Sequence, residues 1–181
     1  MRMLRITIPS IELWDENKEE FIYTKEQTLD MEHSLVSISK WESKWHTPFF
    51  AKREKTTEEI LYYAKCMTIT QNVDPKVYLY LSTENLKQID EYINDSMTAT
   101  TFSENNNKKN GGNITSEIIY YWMITLNIPF ECQKWHLNRL MTLIKVCDIK
   151  NKPPKKRSKR DIMSRNAALN AARRKQLNSK G

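Results

Sequence analysis

Glycine and cysteine are scarce, with three of each in 181 residues. No apolar run comes near the ~20 residues that a membrane span needs. These shortages exclude whole classes of function. An odd, low cysteine count does not read as a disulfide framework and suits free thiols in a reducing compartment. Gly111 and Gly112 sit in a polar stretch with no GKS or GKT behind them, so no phosphate-binding loop is present. GxSxG is missing as well. In "MRMLRITIPSIELWDENKEE" charge arrives before any long apolar segment, unlike a signal peptide. The chain is expected to be soluble and cytosolic, with no membrane partner.

What is present is enough for a core. Apolar residues make up 39%, including five Trp, eight Tyr and five Phe, which suits one domain or one domain with a tail. The net charge of +7 hides an asymmetry. Lys150–Gly181 holds 12 Lys/Arg and one acid, Asp161, for +11, while residues 1–149 carry -4. Two domains follow: a mildly acidic body, 1–149, and a basic tail, 150–181.

The body reads as mainly α with an N-terminal β-hairpin. "LRITIPSIELW" and "EFIYT" look like its strands, joined by a polar turn at "DENKE", and Pro9 confines the first strand to an edge or a bulge. From Leu29 the period becomes helical. Met31, Leu35, Ile38 and Trp45 predict a helix over 29–45, stopped at Pro48. Thr56 and Glu59 form a capping box ahead of an Ile60, Tyr63, Ala64, Met67 face. Asp74 caps a start with Pro75 at the first helical position. "STENLKQIDEYI" predicts a helix with Leu86, Ile89 and Ile93 inward. Residues 95–115 predict a long polar loop or hairpin. Thr115 or Ser116 then caps "EIIYYWMITL", Pro129 interrupts, and 132–149 predicts the last core helix. The tail is expected to be disordered or helical.

Cys132, His136 and Cys147 raise the question of a metal. The first two lie four apart on the expected helix, but Cys147 is roughly 16 Å further along it. Ligands must sit about 2 Å from one ion, so the three do not converge unless the helix breaks. A buried thiol and a half-buried histidine are the plainer expectation. Carboxylates at Asp15, Glu16, Glu19 and Glu20 cluster in an apparent turn, where such groups are solvated. The sequence therefore predicts no catalytic residue, no metal and no cofactor.

Aromatics concentrate in "WESKWHTPFF" and "YYWMITLNIPF". Trp41 and Trp45 are an i,i+4 pair. Tyr120, Tyr121 and Trp122 are consecutive, so one helix face cannot bury them all. They are either core or, together with Phe49, anchors for a partner. Trp122 is expected inward with Ile118 and Ile119, and Tyr121 at an edge. In the tail, Lys155, Lys156, Arg157, Lys159, Arg160, Arg173 and Arg174 form a cationic patch. Such a patch binds phosphates weakly and without sequence preference.

The words "SLVSISKWESKWHTPF", "KTTEEILYYAKCMT" and "TSEIIYYWMITLNIPFECQKWHLNRLMTLIKVC", followed by a basic Ala/Arg tail, resemble the tail assembly chaperones of long-tailed bacteriophages. The resemblance covers most of residues 4–175 and rests on "SKWESKWHTPF" and "IPFECQKWHLNRL". It implies a helical, non-enzymatic protein that coats the tape measure protein before the tail tube forms around it. Partners would be the tape measure protein, other tail components and a second copy of this chain. It would act in the cytoplasm of the infected bacterium and leave before the virion matures. Two other readings stand beside it: a nucleic-acid-binding accessory protein working through the tail, and a structural tail or connector component.

Overall fold

A computed structural model describes residues 3–15, 20–102, 114–152 and 158–178. The expected turn at 16–19, the centre of the expected loop at 103–113, and the paired prolines with Lys155, Lys156 and Arg157 lie outside the described residues. The chain divides into two compact units, Met1–Asp148 and Ile149–Gly181.

Alternation starts the first unit. Ile6 and Ile8 of β1 (Leu4–Ile8) are buried, while Arg5 is exposed on the other face. β1 pairs antiparallel with β4 (Gln27–Met31), setting Ile6 opposite Leu29 and Arg5 opposite Asp30. Ile6, Ile8, Leu29 and Met31 therefore share the core face. On the outer face the Arg5 guanidinium meets Asp30 at 2.7 Å. β2 (Ile11–Asp15) pairs with β3 (Glu20–Thr24). Ile8 faces Gln27 and Ile11 faces Thr24, so each strand skips two residues and the register carries through. Pro9, which has no N–H to give the ladder, sits in that gap. The hairpin is longer than expected: 27–31 is strand, although Leu29 and Met31 also fit a helical period.

Residues 30–34 are stitched on both sides. Ile69 N–H donates to the Asp30 carbonyl at 2.9 Å and Glu32 N–H to the Met67 carbonyl at 2.8 Å. Leu137 N–H donates to the His33 carbonyl at 2.9 Å, beside a bridge between Ser34 and His136. Ser34 then caps α1 (Leu35–Trp45) in a reciprocal box with Ser37. Such a cap contributes about 1 kcal/mol. The helix ends where expected, with His46 left-handed at φ 49°.

α2 (Thr57–Met67) has the expected Thr56–Glu59 capping box. Tyr63, Ala64 and Met67 are buried, but Ile60 is 43% exposed. Asp74 and Pro75 begin a 3-10 turn, Pro75–Tyr80. Ser82 caps α3 (Thr83–Asn94), which buries Ile89 and Tyr92 and leaves Leu86 and Ile93 half-buried. α4 (Ser116–Thr125) follows Thr115, whose side chain makes no cap bond. Its first N–H is satisfied from elsewhere. Glu42 on α1, 8% exposed, accepts Ser116 N–H on one oxygen and Phe49 N–H on the other, both at 2.8 Å.

The last core helix is shorter than the sequence predicts. Phe130–Lys134 is a 3-10 turn, Trp135 is extended, and α5 (Leu137–Asn151) starts only after His136. Leu137, Leu140 and Ile144 form its core stripe, with Met141 half-buried. In the second unit α6 (Lys159–Leu177) is a helix capped by Ser158. The protein is thus mainly α with an N-terminal antiparallel hairpin, as the sequence implied.

Candidate partner-binding surfaces

Trp41, Phe49 and Tyr63 are core, not surface. Trp41 has no exposed area, and its indole N–H donates to the Glu59 carbonyl at 3.1 Å. Its ring meets Phe49 edge-on at 5.2 Å, and Phe49 lies 4.4 Å from Tyr63. Lys55 sits 4.3 Å over the Phe49 ring and donates to the Phe49 carbonyl at 2.9 Å. Burial lowers the pKa of that ammonium. The i,i+4 pair splits at this point: Trp45 is half-buried at the edge, against Tyr62, with Lys44 over both rings. Below them the Arg53 guanidinium holds the Glu59 carboxyl down to about 2, with the Thr56 N–H helping.

α4 presents two different faces. Ile119 and Met123 are fully buried against the core. On the outside Ile118, Tyr121 and Ile124 recur every third residue and are 38%, 62% and 59% exposed. Phe130, just past Pro129, is 52% exposed and faces the Tyr120 ring at 6.4 Å. The Tyr120 hydroxyl donates to Gln133 at 2.9 Å, which fixes its ring at the border of this patch. Trp122 is only half-buried, contrary to expectation, and lines a groove of about 450 Å³ with Phe102, Met141 and Lys145. Ile118, expected inward, is exposed instead, and Ile124 and Phe130 are the residues that sequence reasoning missed. The three-residue spacing of Ile118, Tyr121 and Ile124 was visible, but an almost continuous apolar segment does not say which side faces the core.

A second apolar groove, of about 380 Å³, runs between α2 and α3. Ile60, Leu86 and Ile93 line it above Phe49, with Lys55 and Asp90 also along it.

The histidine near the cysteines does something other than bind metal. His136 is 2% exposed and not helical, so it does not share a helix face with Cys132. Its Nε2–H donates to the Tyr92 carbonyl at 2.9 Å, and its Nδ1 accepts Asn138 N–H at 3.3 Å. Both ring nitrogens are occupied within the protein. His33, also 2% exposed, lies 5.1 Å from it, ring to ring, and shares a 2.6 Å hydrogen bond with the Tyr63 hydroxyl. Burial, with His136 adding to it, pushes His33 down to about 3. Burial also lowers His136, against the pull of the Tyr92 carbonyl and Asp95. Both rings are therefore neutral at pH 7.

All three cysteines are free; Cys66 and Cys132 are buried and Cys147 is half-buried. Burial raises the Cys66 and Cys132 thiols, which disfavours the nucleophilic thiolate. Among the described residues no three of His, Cys, Asp and Glu converge in a way that would hold a metal ion. No helix among them is long and apolar enough to cross a membrane.

In the tail, Lys159, Arg160, Arg173 and Arg174 are all exposed on α6. Lys155, Lys156 and Arg157 fall outside the described residues. Comparison of the chain with family models, with curated proteins and with solved structures gives no match.

Proposed function

We propose that this protein is a non-enzymatic assembly chaperone that holds apolar helical segments of a larger partner, the tape measure protein of a long-tailed phage. One observation carries the binding half of this reading. Ile118, Tyr121 and Ile124 form an exposed apolar stripe on a helix whose other face, Ile119 and Met123, is anchored in the core. A rigid helix with large outward side chains at steps of three suits an apolar helix laid against it. The choice of partner comes from the resemblance of "SKWESKWHTPF" and "IPFECQKWHLNRL" to tail assembly chaperones. A chaperone of this kind works in the cytoplasm of the infected cell and is absent from purified virions.

Co-expression tests it. Wild type should keep helical fragments of the tape measure protein soluble and co-purify with them. Tyr121→Ala with Ile124→Ala should melt like wild type yet lose the partner. One interface anchor costs about 2 kcal/mol or more, roughly a 30-fold loss of affinity. If wild type solubilises no fragment, the reading is wrong. If the folded double variant still does so, the binding face lies elsewhere. Mass spectrometry that finds the protein in mature virions favours a structural tail component instead.

A further inference from the structure

Every described side chain of α6 is exposed along its 19 residues. The helix is capped from within: Asp161 N–H donates to the Ser158 hydroxyl at 3.1 Å, and Asn178 closes it in the left-handed region at φ 51°. Ala167, Ala168, Ala171 and Ala172 supply propensity. In proteins most helical stability comes from packing along one face rather than from propensity. The question is which partner the helix fits.

Its chemistry is one-sided. Lys159, Arg160, Arg165, Arg173, Arg174 and Lys175 face a single acid, Asp161, which sits in the cap beside Ser158. Lys159, Asn166, Asn170 and Arg173 follow at steps of seven, four and three, so they form one stripe, with Arg174 beside it.

An apolar protein groove wants aromatic or aliphatic anchors. Residues 150–181 hold no Phe, Tyr or Trp. A membrane surface wants one apolar face opposite the basic one. Met163, Leu169 and Leu177 are exposed, but Lys159, Asn166, Asn170 and Arg173 lie among them around the helix, so no apolar face stands apart from the basic one. Duplex nucleic acid wants Lys, Arg and Asn against phosphate and sugar oxygens, and that is this stripe. The major groove of B-form DNA admits a helix, and alanines let it approach closely. The narrow major groove of A-form RNA does not admit it.

We infer that α6 is a DNA-binding helix: it engages the phosphates of duplex DNA through Lys159, Arg160, Arg173 and Arg174, with no sequence preference. This does not rest on the chaperone reading.

The test uses the full chain and two unrelated, fluorescently labelled DNA duplexes of about 25 base pairs. Anisotropy should show equal binding to both. Affinity should fall by about 10² between roughly 50 and 200 mM salt if the four side chains each neutralise one phosphate. Replacing Arg173 and Arg174 with Gln should leave the circular dichroism unchanged and lower the salt slope by about 2. Photo-crosslinks to wild type should map to 159–175. Several results overturn the inference: no binding at the lower salt, an unchanged salt slope in the Gln variant, or crosslinks confined to the first unit. Tighter binding to duplex RNA, to phosphatidylserine vesicles or to a polyglutamate peptide overturns it as well.

Discussion

Acid should loosen this fold well before its carboxylates titrate, and His33 is the reason. The ring is 2% exposed, hydrogen-bonded to Tyr63, and 5.1 Å from His136. Protonation would place a charge beside the Tyr63 hydroxyl and a second imidazole, with no carboxylate hydrogen-bonded to the ring among the described residues. His136 resists too, because its Nδ1 already accepts Asn138 N–H and a proton there would set two donors face to face. The folded pKa of His33 is about 3, against an ordinary 6.5. A histidine depressed in the folded state binds its proton more readily when unfolded. Stability is thus complete above pH 6.5 and is lost as pH falls toward 3. At pH 5 the loss from His33 alone is about 2 kcal/mol. His136 adds in the same direction, opposed by Asp95. Glu32, whose carboxyl burial raises, works in the opposite sense. Urea unfolding of wild type between about pH 7.5 and 5 lies above the bulk carboxylate range and reads the two histidines together. His33→Gln should flatten the dependence by about 2 kcal/mol. NMR titration of the His33 ring in wild type gives a second readout that does not depend on the variant folding. Stability unchanged down to about pH 5, or a His33 ring that titrates near its ordinary value, would refute the reasoning.

Trp41→Ala should cost about 3–5 kcal/mol by thermal or urea melts, as a fully buried ring does; a loss under 1 kcal/mol would mean the ring is not core. Arg53→Ala should raise the Glu59 carboxyl from about 2 toward its ordinary 4.5, with Thr56 N–H holding it partly down. A depressed carboxyl stabilises above its ordinary value and loses that contribution as pH falls toward 2, so the variant should lose less on the acid side. Carboxyl NMR that shows Glu59 unmoved would refute the ion pair. Truncation after Asn151 should leave the melting temperature of the first unit within a few degrees, and loss of cooperative melting would reject an independent body.

Local signals in the sequence were enough for most helices. Thr56–Glu59 and Asp74–Pro75 satisfy the first N–H groups of a helix from within four residues, so their effect does not depend on the rest of the fold. Three consecutive aromatics on α4 required one to face out, and Tyr121 does.

Tertiary structure decided what local pattern leaves degenerate. Leu29 and Met31 fit either period, and pairing with β1 made them strand because it buries Ile6 and Leu29 on one face. "CQKWHLNRL" reads as unbroken helix, yet His136 is held extended by Ser34 and by the Tyr92 carbonyl, partners more than 40 residues away. α4 lacks a side-chain cap of its own because Glu42, 74 residues earlier, receives its first N–H. Of the aromatics offered as a surface, Trp41 and Phe49 went to the core and the exposed stripe went to α4. Sequence spacing gives a residue its direction around a helix, and only the position of the neighbouring elements decides which direction is inside.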